Sequence, residues 1–533
     1  MKKTFFAGVL ICACLMPHLS GQGTPVERGL EAISEDVIRA QLGFLASDWT
    51  EGREAGEKGE YMAADYIASM LQLYGVKPGG DLIMNRNLEG RIQTSGRSYF
   101  QNFTLIKTSP GEAPEMKLKS ETGNSVRTTD FTYNIDFTSR SIFNSAETEA
   151  PVVFVGYGFV SSKLKINDLE KLELKGKYVL KISGTPLHAR KNLSAAELTS
   201  SAWEAEKYLR EKGVVGIIEF SPGSPVSGNP GMKEFQNMSP SEGNPRTGRP
   251  RARYSIPGST LSDDLIRIEV SSKTANEILR GTGIVIEDFI IKADANQPVI
   301  LPQLTGKSII FKADVITSQI AVKNIIGIIE GNDPDQVIVA GAHYDHMGTG
   351  NGYLWNGADD NGSGTVGVMT LAKAVMASGK KPEKSIIFAL WTAEELGLLG
   401  SRYYVRNLPY PLKNLRLNIN FDMISRYISD ENPKGVVMTY TKSYPGFKTL
   451  TENNIKKYNI DLLVDYQPSD DPPGGTDHRS FVEAGIPIMR FKPGHREEYH
   501  TPDDELSTIN WDIMEKIIRI SFANLWELAN SSW

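Results

Sequence analysis

From about residue 320 onwards, apolar runs alternate with segments whose apolar positions recur at helical spacing. The runs that predict strands fall at 337–341, 385–391, 417–421 and 486–491, and the segments that predict helices fall at 363–378, 395–407 and about 510–530. Continuously apolar strands that alternate with helices are typical of a buried sheet with helices on both faces. We therefore expect an α/β fold built on a mixed, mostly parallel sheet flanked by helices on both faces.

The middle of the chain has a different texture from the two ends. Residues 34–46 and 59–75 carry apolar side chains at helical spacing and predict two N-terminal helices. Between about 126 and 315, short β-runs dominate instead. A stretch from 221 to about 260 is rich in Pro, Gly, Ser and Asn and predicts a long surface loop.

This change of texture predicts more than one domain. The length of 533 residues exceeds what one ordinary hydrophobic core accommodates. We expect a β-rich domain inserted into an α/β domain. The predicted segments are 1–21 as a signal peptide, 22–125 and 316–533 as the two parts of the α/β domain, and 126–315 as the insertion.

The N-terminus has the composition of a secretory signal peptide. Two lysines follow Met1, an apolar stretch runs from Phe5 to Met16, and small residues surround Gly21. This order predicts cleavage after Gly21 and export, to the periplasm or the medium. A lipoprotein site at Cys14 is the less favoured alternative, because apolar residues continue beyond it. No later run is long enough to predict a membrane span in the mature chain.

Cysteine usage and charge exclude several classes of function. The sequence has two cysteines, and both lie inside the predicted signal peptide. The mature chain is therefore expected to have no disulfide, cysteine nucleophile or thiolate metal site. A net charge of −6 argues against nucleic acid as the main partner, since nucleic-acid binding normally requires a basic face.

Five short segments carry His, Asp and Glu residues directly after apolar runs or at turns. They are 341–346, 357–364, 391–395, 420–423 and 499–503. In open α/β sheets, ligands bind at the carboxyl ends of the strands, and we expect all five segments to lie just past those ends. Imidazoles and carboxylates without thiols suit zinc. The five segments therefore predict a metal-dependent hydrolase site at this edge of the sheet.

The residue types suggest individual roles. His343 is a natural metal ligand, and Asp345 could accept the hydrogen bond from its other ring nitrogen. A carboxylate on the tight turn at Asp360 could bridge two cations, although capping of the following helix is the simpler interpretation for one of Asp359 and Asp360. Asp422 interrupts an apolar run, so a partner or a metal is expected to compensate its burial.

The remaining candidates lie in two further motifs and one turn. Glu394 and Glu395 are adjacent carboxylates, which repel unless a cation or a shared proton relieves them; one is expected to bind metal and the other to act as a general base. His500 lies on a turn shaped by the following proline. In the turn 474–478, Asp477 and His478 are expected to support the site without binding metal directly.

These motifs resemble the co-catalytic di-zinc aminopeptidases, a family that includes the bacterial leucyl aminopeptidases and, more distantly, glutamate carboxypeptidase. The resemblance is strong over about 320–510 and extends to the segments Phe44–Asp48 and Glu51–Arg53. It implies the family's zinc-exopeptidase-like fold and two zinc ions, with cobalt or manganese as substitutes. The implied metal ligands are His343, Asp360, Glu395, Asp422 and His500.

The resemblance also implies how these residues divide their work. Asp360 bridges the two zinc ions, His343 and Asp422 complete one site, and Glu395 and His500 complete the other. Glu394 is the general base for a water activated by the two metals. Asp345 orients His343, and Tyr499 stabilises the oxyanion, as a tyrosine does in some members of the family. The insertion at 126–315 is similar to a protease-associated domain.

We therefore expect an exported zinc aminopeptidase that acts on peptide substrates. A carboxypeptidase or dipeptidase on the same scaffold is the nearest alternative. A glutaminyl cyclase with one zinc, and a non-catalytic binding protein of the transferrin-receptor kind, are further alternatives. The sequence does not decide the side-chain preference, the oligomeric state or the role of the insertion.

Overall fold

The structure is a computed structural model of the 533-residue chain. It describes residues 23–86, 92–139, 145–222, 252–259, 265–350, 352–492, 494 and 497–533. The predicted signal peptide and most of the predicted loop at 221–260 lie outside these ranges, so both stay predictions.

The N-terminal part contributes three helices and four strands. They are α1 (Pro25–Glu31), α2 (Glu35–Leu45), α3 (Lys58–Leu73), β1 (Lys77–Pro78), β2 (Leu82–Arg86), β3 (Ile92–Arg97) and β4 (Phe100–Pro110). Helices α2 and α3 confirm the two helices predicted from apolar spacing. Each buries one face completely, α2 through Ile38 and Leu42 and α3 through Ile67 and Leu71. The side chain of Ser34 caps α2 by accepting the Val37 N–H.

The middle of the chain forms most of a second sheet with its own core, although β13 from this part joins the first sheet and β9 and β10 pair separately. Its elements are β5 (Glu115–Thr122), β6 (Ser125–Phe131), β7 (Phe137–Ser139), β8 (Ala146–Phe154), β9 (Val160–Ser161), β10 (Ile166–Asn167), β11 (Tyr178–Ile182), α4 (Leu187–Asn192), α5 (Ala195–Glu211), β12 (Gly216–Phe220), β13 (Arg253–Ser255), β14 (Ile266–Val270), α6 (Ser272–Leu279), α7 (Ile286–Asp294) and β15 (Lys307–Ala313). The described strands of this sheet follow the order β6-β5-β15-β8-β11-β12-β14-β7.

The second sheet begins before residue 126, where the insertion was predicted to start. Strand β5 lies before that boundary, and it pairs antiparallel with β15 and with β6. Its buried apolar side chains are limited to Met116 and Leu118, which is too short an alternation to mark a strand in the sequence. The division into the segments 22–125, 126–315 and 316–533 stays a prediction.

The C-terminal part completes the first sheet. Its elements are β16 (Val315–Ile329), β17 (Asp333–His343), β18 (Gly348–Gly350), β19 (Tyr353–Trp355), α8 (Gly364–Ala377), β20 (Lys384–Trp391), α9 (Leu399–Arg406), β21 (Leu415–Phe421), β22 (Gly435–Tyr440), α10 (Gly446–Lys457), β23 (Leu463–Pro468), α11 (His478–Glu483), β24 (Ile488–Lys492) and α12 (Trp511–Asn530). The strands and helices predicted after residue 320 are all present among them. The elements that were not predicted are β16, β18, β19, β22, α10, β23 and α11.

The first sheet is mixed, with its parallel pairings concentrated at the centre. Its described strands follow the order β13-β4-β16-β20-β17-β21-β24-β22-β23, and β1 pairs with β16. Strands β20, β17, β21 and β24 are parallel neighbours, whereas β4, β16 and β20 pair antiparallel. The expected α/β fold with a mixed sheet is confirmed.

Helices cover both faces of this sheet. Along β17, Ile338 and Ala340 face the core shared with α2, α3, α8 and α12, whereas Val337 and Val339 face the core shared with α9 and α11. This alternation follows from the two-residue period of a strand. Helix α8 is buried almost throughout, since it lies between the sheet and α12. Among the helices that the structure describes, none combines the length and the apolar character that a membrane crossing requires.

Candidate metal centre

The candidate site lies where three central strands end. Strand β17 ends at His343, β20 ends two residues before Ala393–Glu394, and β21 ends directly before Asp422. These strands are parallel neighbours, so their carboxyl ends meet at one edge of the sheet. Asp360, on the turn before α8, and His500, beyond β24, reach the same edge. The structure therefore brings all five predicted segments together.

Asp360 stands between two groups of side chains. Its Oδ1 lies 3.5 Å from Nε2 of His343, and its Oδ2 lies 3.0 Å from Nε2 of His500. Nε2 of His343 is also 3.6 Å from Oδ1 of Asp422, and Nε2 of His500 is 3.5 Å from Oε1 of Glu395. Each oxygen of one carboxylate thus faces a different histidine–carboxylate pair, which is the geometry that a bridging ligand requires.

These side chains line a cavity of about 420 Å³. Glu394 reaches it from the end of β20, with Oε2 4.0 Å from Nε2 of His343. The wall beyond the acidic cluster includes Leu398, Met423, Thr476, Arg490 and Tyr499. A small molecule or the end of a peptide can therefore enter next to the cluster.

The turn that carries Asp360 is held by its neighbours on both sides. Asn361 donates from Nδ2 to the carbonyl of Phe421 at 3.0 Å, and its Oδ1 accepts the N–H of Met423 at 3.2 Å. The carboxylate of Asp504 accepts the main-chain N–H of Asp359 and of Asp360, each at 2.9 Å. These contacts fix Asp360 relative to the loop that carries Asp422.

Asp359 has a structural position, and Asp360 faces the cluster. Oδ1 of Asp359 accepts the N–H of Ser425 at 3.0 Å, and its Oδ2 lies 3.5 Å from Nε of Arg426. Burial, together with the nearby carboxylate of Asp504, raises the pKa of Asp359 to about 7. The capping interpretation was therefore wrong for Asp359 as well, because its carboxylate binds the loop at 425–426 and not the start of α8.

Asp345 supports the site in a different way from the predicted one. Nδ1 of His343 lies 3.1 Å from the main-chain carbonyl oxygen of Asp345 and 3.7 Å from its carboxylate. The ring N–H therefore donates to the carbonyl, which leaves Nε2 free to face the cluster. The carboxylate instead accepts the main-chain N–H of Glu394 at 3.0 Å and of Glu395 at 3.3 Å. The expected contact with His343 exists, but the carbonyl makes it, because the carboxylate turns towards the end of β20.

The two adjacent glutamates have opposite electrostatic environments. Burial, reinforced by neighbouring carboxylates, raises the pKa of Glu394 well above its usual value. Burial also acts on Glu395, but hydrogen bonds from His346 and His500 outweigh it and hold the pKa of that carboxyl well below its usual value. Two carboxyl groups whose pKa values are pushed apart in this way can take different roles, one binding protons and the other staying ionised.

Several residues around the cavity adopt left-handed backbone conformations. The φ angles are +55° at Ala393, +61° at Leu398, +50° at Met423 and +56° at His500. Such a conformation costs a residue other than glycine about 1–2 kcal/mol. Backbone strain of this kind clusters at functional sites, where the surrounding structure holds it in place. Ala393 directly precedes Glu394, so the strain lies next to the acidic cluster.

The donor set fits zinc. Two groups of three residues each place one ligand atom per residue within 4.8 Å of one another: His343, Glu394 and Asp422 in one, and His346, Asp360 and Glu395 in the other. Burial alone would lower the pKa of His343, but the carboxylates of Glu394 and Asp422 outweigh it and raise that pKa well above its usual value. A buried site with so strong a preference for positive charge suits divalent cations. Nitrogen and oxygen donors in this mixture are typical zinc ligands.

Comparison with protein-family models gives the same answer. Residues 324–525 match the model described as Peptidase family M28. This segment is therefore similar to peptidase family M28. The match includes every residue of the candidate site, from His343 to His500. The resemblance to the zinc aminopeptidases is thereby confirmed at the level of the family.

Relatives of similar sequence match only part of this chain. It is 39% identical over 166 residues to leupeptin-inactivating enzyme 1 of Streptomyces exfoliatus, an alignment that spans 31% of this chain and 34% of that protein. It is 36% identical over 182 residues to leucine aminopeptidase 2 of Trichophyton rubrum, which spans 34% and 35%. The chain thus matches about a third of the length of these relatives.

A solved structure extends the likeness beyond the M28 segment. An aminopeptidase from Aneurinibacillus sp. strain AM-1 aligns with 95% of this chain and 97% of its own, with a TM-score of 0.52 and 18% sequence identity. At this identity the likeness concerns the fold alone. It includes the second sheet as well as the M28 part, because so much of both chains is covered.

Two residues of the M28 site were not predicted from the sequence. His346, three residues after His343, places Nδ1 2.9 Å from Oε1 of Glu395. Asp504 holds the Asp360 turn, as described above. Both lie within or directly after predicted motifs, so their position in the sequence was the one feature that could have marked them as site residues. Neither could be assigned a role, because their partners are distant along the chain.

The remaining predicted residues lie at the margin of the site. Tyr499 lines the cavity, and its ring stacks on that of His500 with centroids 3.8 Å apart. Burial and the surrounding carboxylates raise the pKa of Tyr499, so its phenol stays protonated. Asp477 and His478 are fully buried behind the cavity wall. Burial raises the pKa of Asp477 to about 7 and lowers that of His478 to about 3.

Proposed function

We propose that the chain is an exported, zinc-dependent aminopeptidase that removes N-terminal residues from peptides. The observation that carries the proposal is the position of Asp360, whose two oxygens face different histidine–carboxylate pairs. A single carboxylate between two ligand sets is what a pair of metal ions about 3.5–4 Å apart requires. The match of residues 324–525 to the model of peptidase family M28 and the names of the relatives support the peptide substrate.

In this proposal five side chains hold two zinc ions. His343 and Asp422 would hold one ion, Glu395 and His500 would hold the other, and Asp360 would contribute to both sites. When bound, the ions would polarise the scissile carbonyl and lower the pKa of a water towards about 7. The hydrogen bond from Nδ1 of His343 to a main-chain carbonyl supports its role, since it fixes the tautomer that leaves Nε2 available.

Glu394 is the general base of the proposed reaction. It lies beside His343 at the cavity, and it takes the proton of the attacking water and passes it to the leaving amine. Its raised pKa suits a group that must hold that proton between the two steps. Asp345 positions Glu394 by accepting its main-chain N–H. The phenol of Tyr499 donates a hydrogen bond to the oxygen on which negative charge develops.

A carboxypeptidase or dipeptidase is the second candidate, and one residue favours it. Arg490 lines the cavity, and its side chain is more than nine-tenths buried. Its Nη2 donates to the carbonyl of Pro473, and its Nε has no hydrogen-bond partner among the described residues. A guanidinium in the wall of a substrate cavity suits a free carboxylate, such as the C-terminus of a short peptide.

Two further parts of the proposal concern the rest of the chain. Export is supported by the signal-like composition of residues 1–21. The resemblance of residues 126–315 to a protease-associated domain is supported by a β-rich sheet with a core separate from that of the M28 part. Determination of the N-terminal residue of the purified exported protein tests the first part directly.

Replacement of Glu394 by glutamine tests the proposed role of this residue. We expect Glu394→Gln to keep its zinc content, measured by plasma mass spectrometry, and to lose about 10²–10⁴-fold in kcat on an aminoacyl-anilide substrate. The matched control is Glu383→Gln near the opposite end of β20, where Oε1 accepts from Asn332 on the surface. Retained turnover in metal-replete Glu394→Gln would rule out the assignment of the base.

A further inference from the structure

His346 is a buried histidine that the proposed reaction does not use. Its side chain is inaccessible to solvent, and its main-chain N–H donates to the carbonyl of Arg53 at 3.1 Å. A Cβ built on Gly357 would come within 2.4 Å of Cδ2 of its ring, so the ring packs directly against that backbone. The imidazole is therefore held in one orientation.

The orientation aims one ring nitrogen at a proposed zinc ligand. Nδ1 of His346 lies 2.9 Å from Oε1 of Glu395, which is a hydrogen-bond distance, and 3.9 Å from Oδ2 of Asp360. A carboxylate oxygen can only accept, so Nδ1 is the donor. Nε2 has no hydrogen-bond partner among the described residues, so the contact of Nδ1 is the one that orients the ring.

Glu395 is thus fixed at both ends. Its main-chain N–H donates to the carboxylate of Asp345 at 3.3 Å, and its side chain accepts from His346. His343 has the corresponding support, since its ring donates to the Asp345 carbonyl. Groups that orient metal ligands by hydrogen bonds typically change metal affinity by 10–100-fold when they are removed.

The distances favour support of Glu395 over direct binding of the metal. Two ligands on one tetrahedral zinc, each at about 2.0–2.1 Å, lie about 3.3 Å apart. The pair His346 Nδ1 and Glu395 Oε1 is closer than this, and the pair His346 Nδ1 and Asp360 Oδ2 is farther. His500, with Nε2 at 3.0 Å and 3.5 Å from the same two carboxylates, fits better as the imidazole ligand.

We propose that His346 is a positioning residue that holds the Glu395 carboxylate in the orientation in which it binds one of the two zinc ions. The inference rests on the proposed function, because it assumes the two-zinc site. It does not require that His346 touch the substrate or the metal. Its effect is therefore expected on zinc affinity, at one site out of two.

Two variants of the full-length chain separate the possible roles. His346→Asn keeps an N–H donor near the place of Nδ1, whereas His346→Leu keeps the volume and removes the donor. Zinc affinity is measured on chelator-stripped protein by competition with a chromophoric chelator, and the melting temperature of the zinc-free protein is measured beside it. His188→Leu, on α4 against Phe159, controls for the loss of an imidazole elsewhere.

We expect His346→Leu to bind one of the two zinc ions with about 10–100-fold lower affinity than the wild type. We expect His346→Asn to bind both ions with nearly wild-type affinity. Equal loss of one zinc in both variants would overturn the inference, because it would make His346 a ligand. Unchanged affinity in His346→Leu would also overturn it, including when the melting temperature falls. A wild-type chain that binds no zinc would instead overturn the proposed function and this inference together.

Discussion

We expect the wild-type protein to become less stable as the pH rises because of Glu60, and we expect Glu60→Gln to abolish this pH dependence. Glu60 lies in the first turn of α3 and is completely buried. Its Oε2 accepts the N–H of Gly56 at 2.6 Å, and its Oε1 accepts from the hydroxyl of Thr392, two residues before Glu394. Burial raises its pKa from 4.5 to about 7.

The size and the sign of the effect follow from this pKa. Between about pH 4.5 and 7 the folded chain keeps the Glu60 proton while the unfolded chain releases it, so stability falls as the pH rises. A tenfold change in an equilibrium is about 1.4 kcal/mol, so the whole loss amounts to about 3 kcal/mol. Glutamine mimics the protonated acid: its carbonyl oxygen accepts the Gly56 N–H, and its amide takes the place of the acid O–H, which donates to the Thr392 hydroxyl once that hydroxyl rotates to accept.

The assay is urea unfolding of the zinc-free protein, followed by tryptophan fluorescence between pH 4.5 and 8. The difference in stability between wild type and Glu60→Gln isolates this carboxyl from other titrating groups. Glu452→Gln, at an exposed position on α10, controls for the loss of one carboxylate. The reasoning is refuted if wild type and Glu60→Gln lose stability in parallel across this range.

The remaining predictions concern two groups that hold the site without lining its cavity. Arg53 is buried and donates hydrogen bonds to the main-chain carbonyls of Leu45, Tyr344, Asn356 and Gly357. We expect Arg53→Met to lower the free energy of unfolding in urea by about 3 kcal/mol or more. An unchanged unfolding midpoint would show that these carbonyls find other donors. Asp504→Asn keeps only one acceptor oxygen for the two main-chain N–H groups of residues 359 and 360. We expect a zinc titration of this variant to show about tenfold weaker binding while the fold stays intact. Wild-type zinc affinity would contradict the role given to Asp504.

The central strands could be predicted because burial on both faces leaves a continuous apolar run in the sequence. Strand β20 is buried at every position, and the run 385–391 marks it. Helix α10 could not be predicted in the same way, since its buried residues are limited to Phe447, Thr451 and Asn454 and it carries several lysines. The sequence of a mostly solvated helix next to an exposed strand such as β23 contains little periodic apolar signal.

The residues of the candidate site likewise fall into those that the sequence could predict and those that it could not. Side chains that project from strand ends could be predicted, because the end of an apolar run fixes their place at the edge of the sheet. The contact of His346 with Glu395 joins residues 49 positions apart, and that of Asp504 with Asp360 joins residues 144 apart. Contacts of this kind depend on how loops fold back onto the site. For the same reason the sequence assigned the ring N–H of His343 to the Asp345 carboxylate, whereas the carbonyl accepts it.

The measurement that tests the central claim most directly is digestion of a defined peptide pool by the purified protein. Each peptide is present in a free, an N-acetylated and a C-amidated form, and products are read by mass spectrometry with and without a chelator. We predict stepwise loss from the N-terminus of the free and amidated forms, no loss from the acetylated form, and no digestion with the chelator. Loss from the C-terminus, or digestion that persists without metal, would contradict the account.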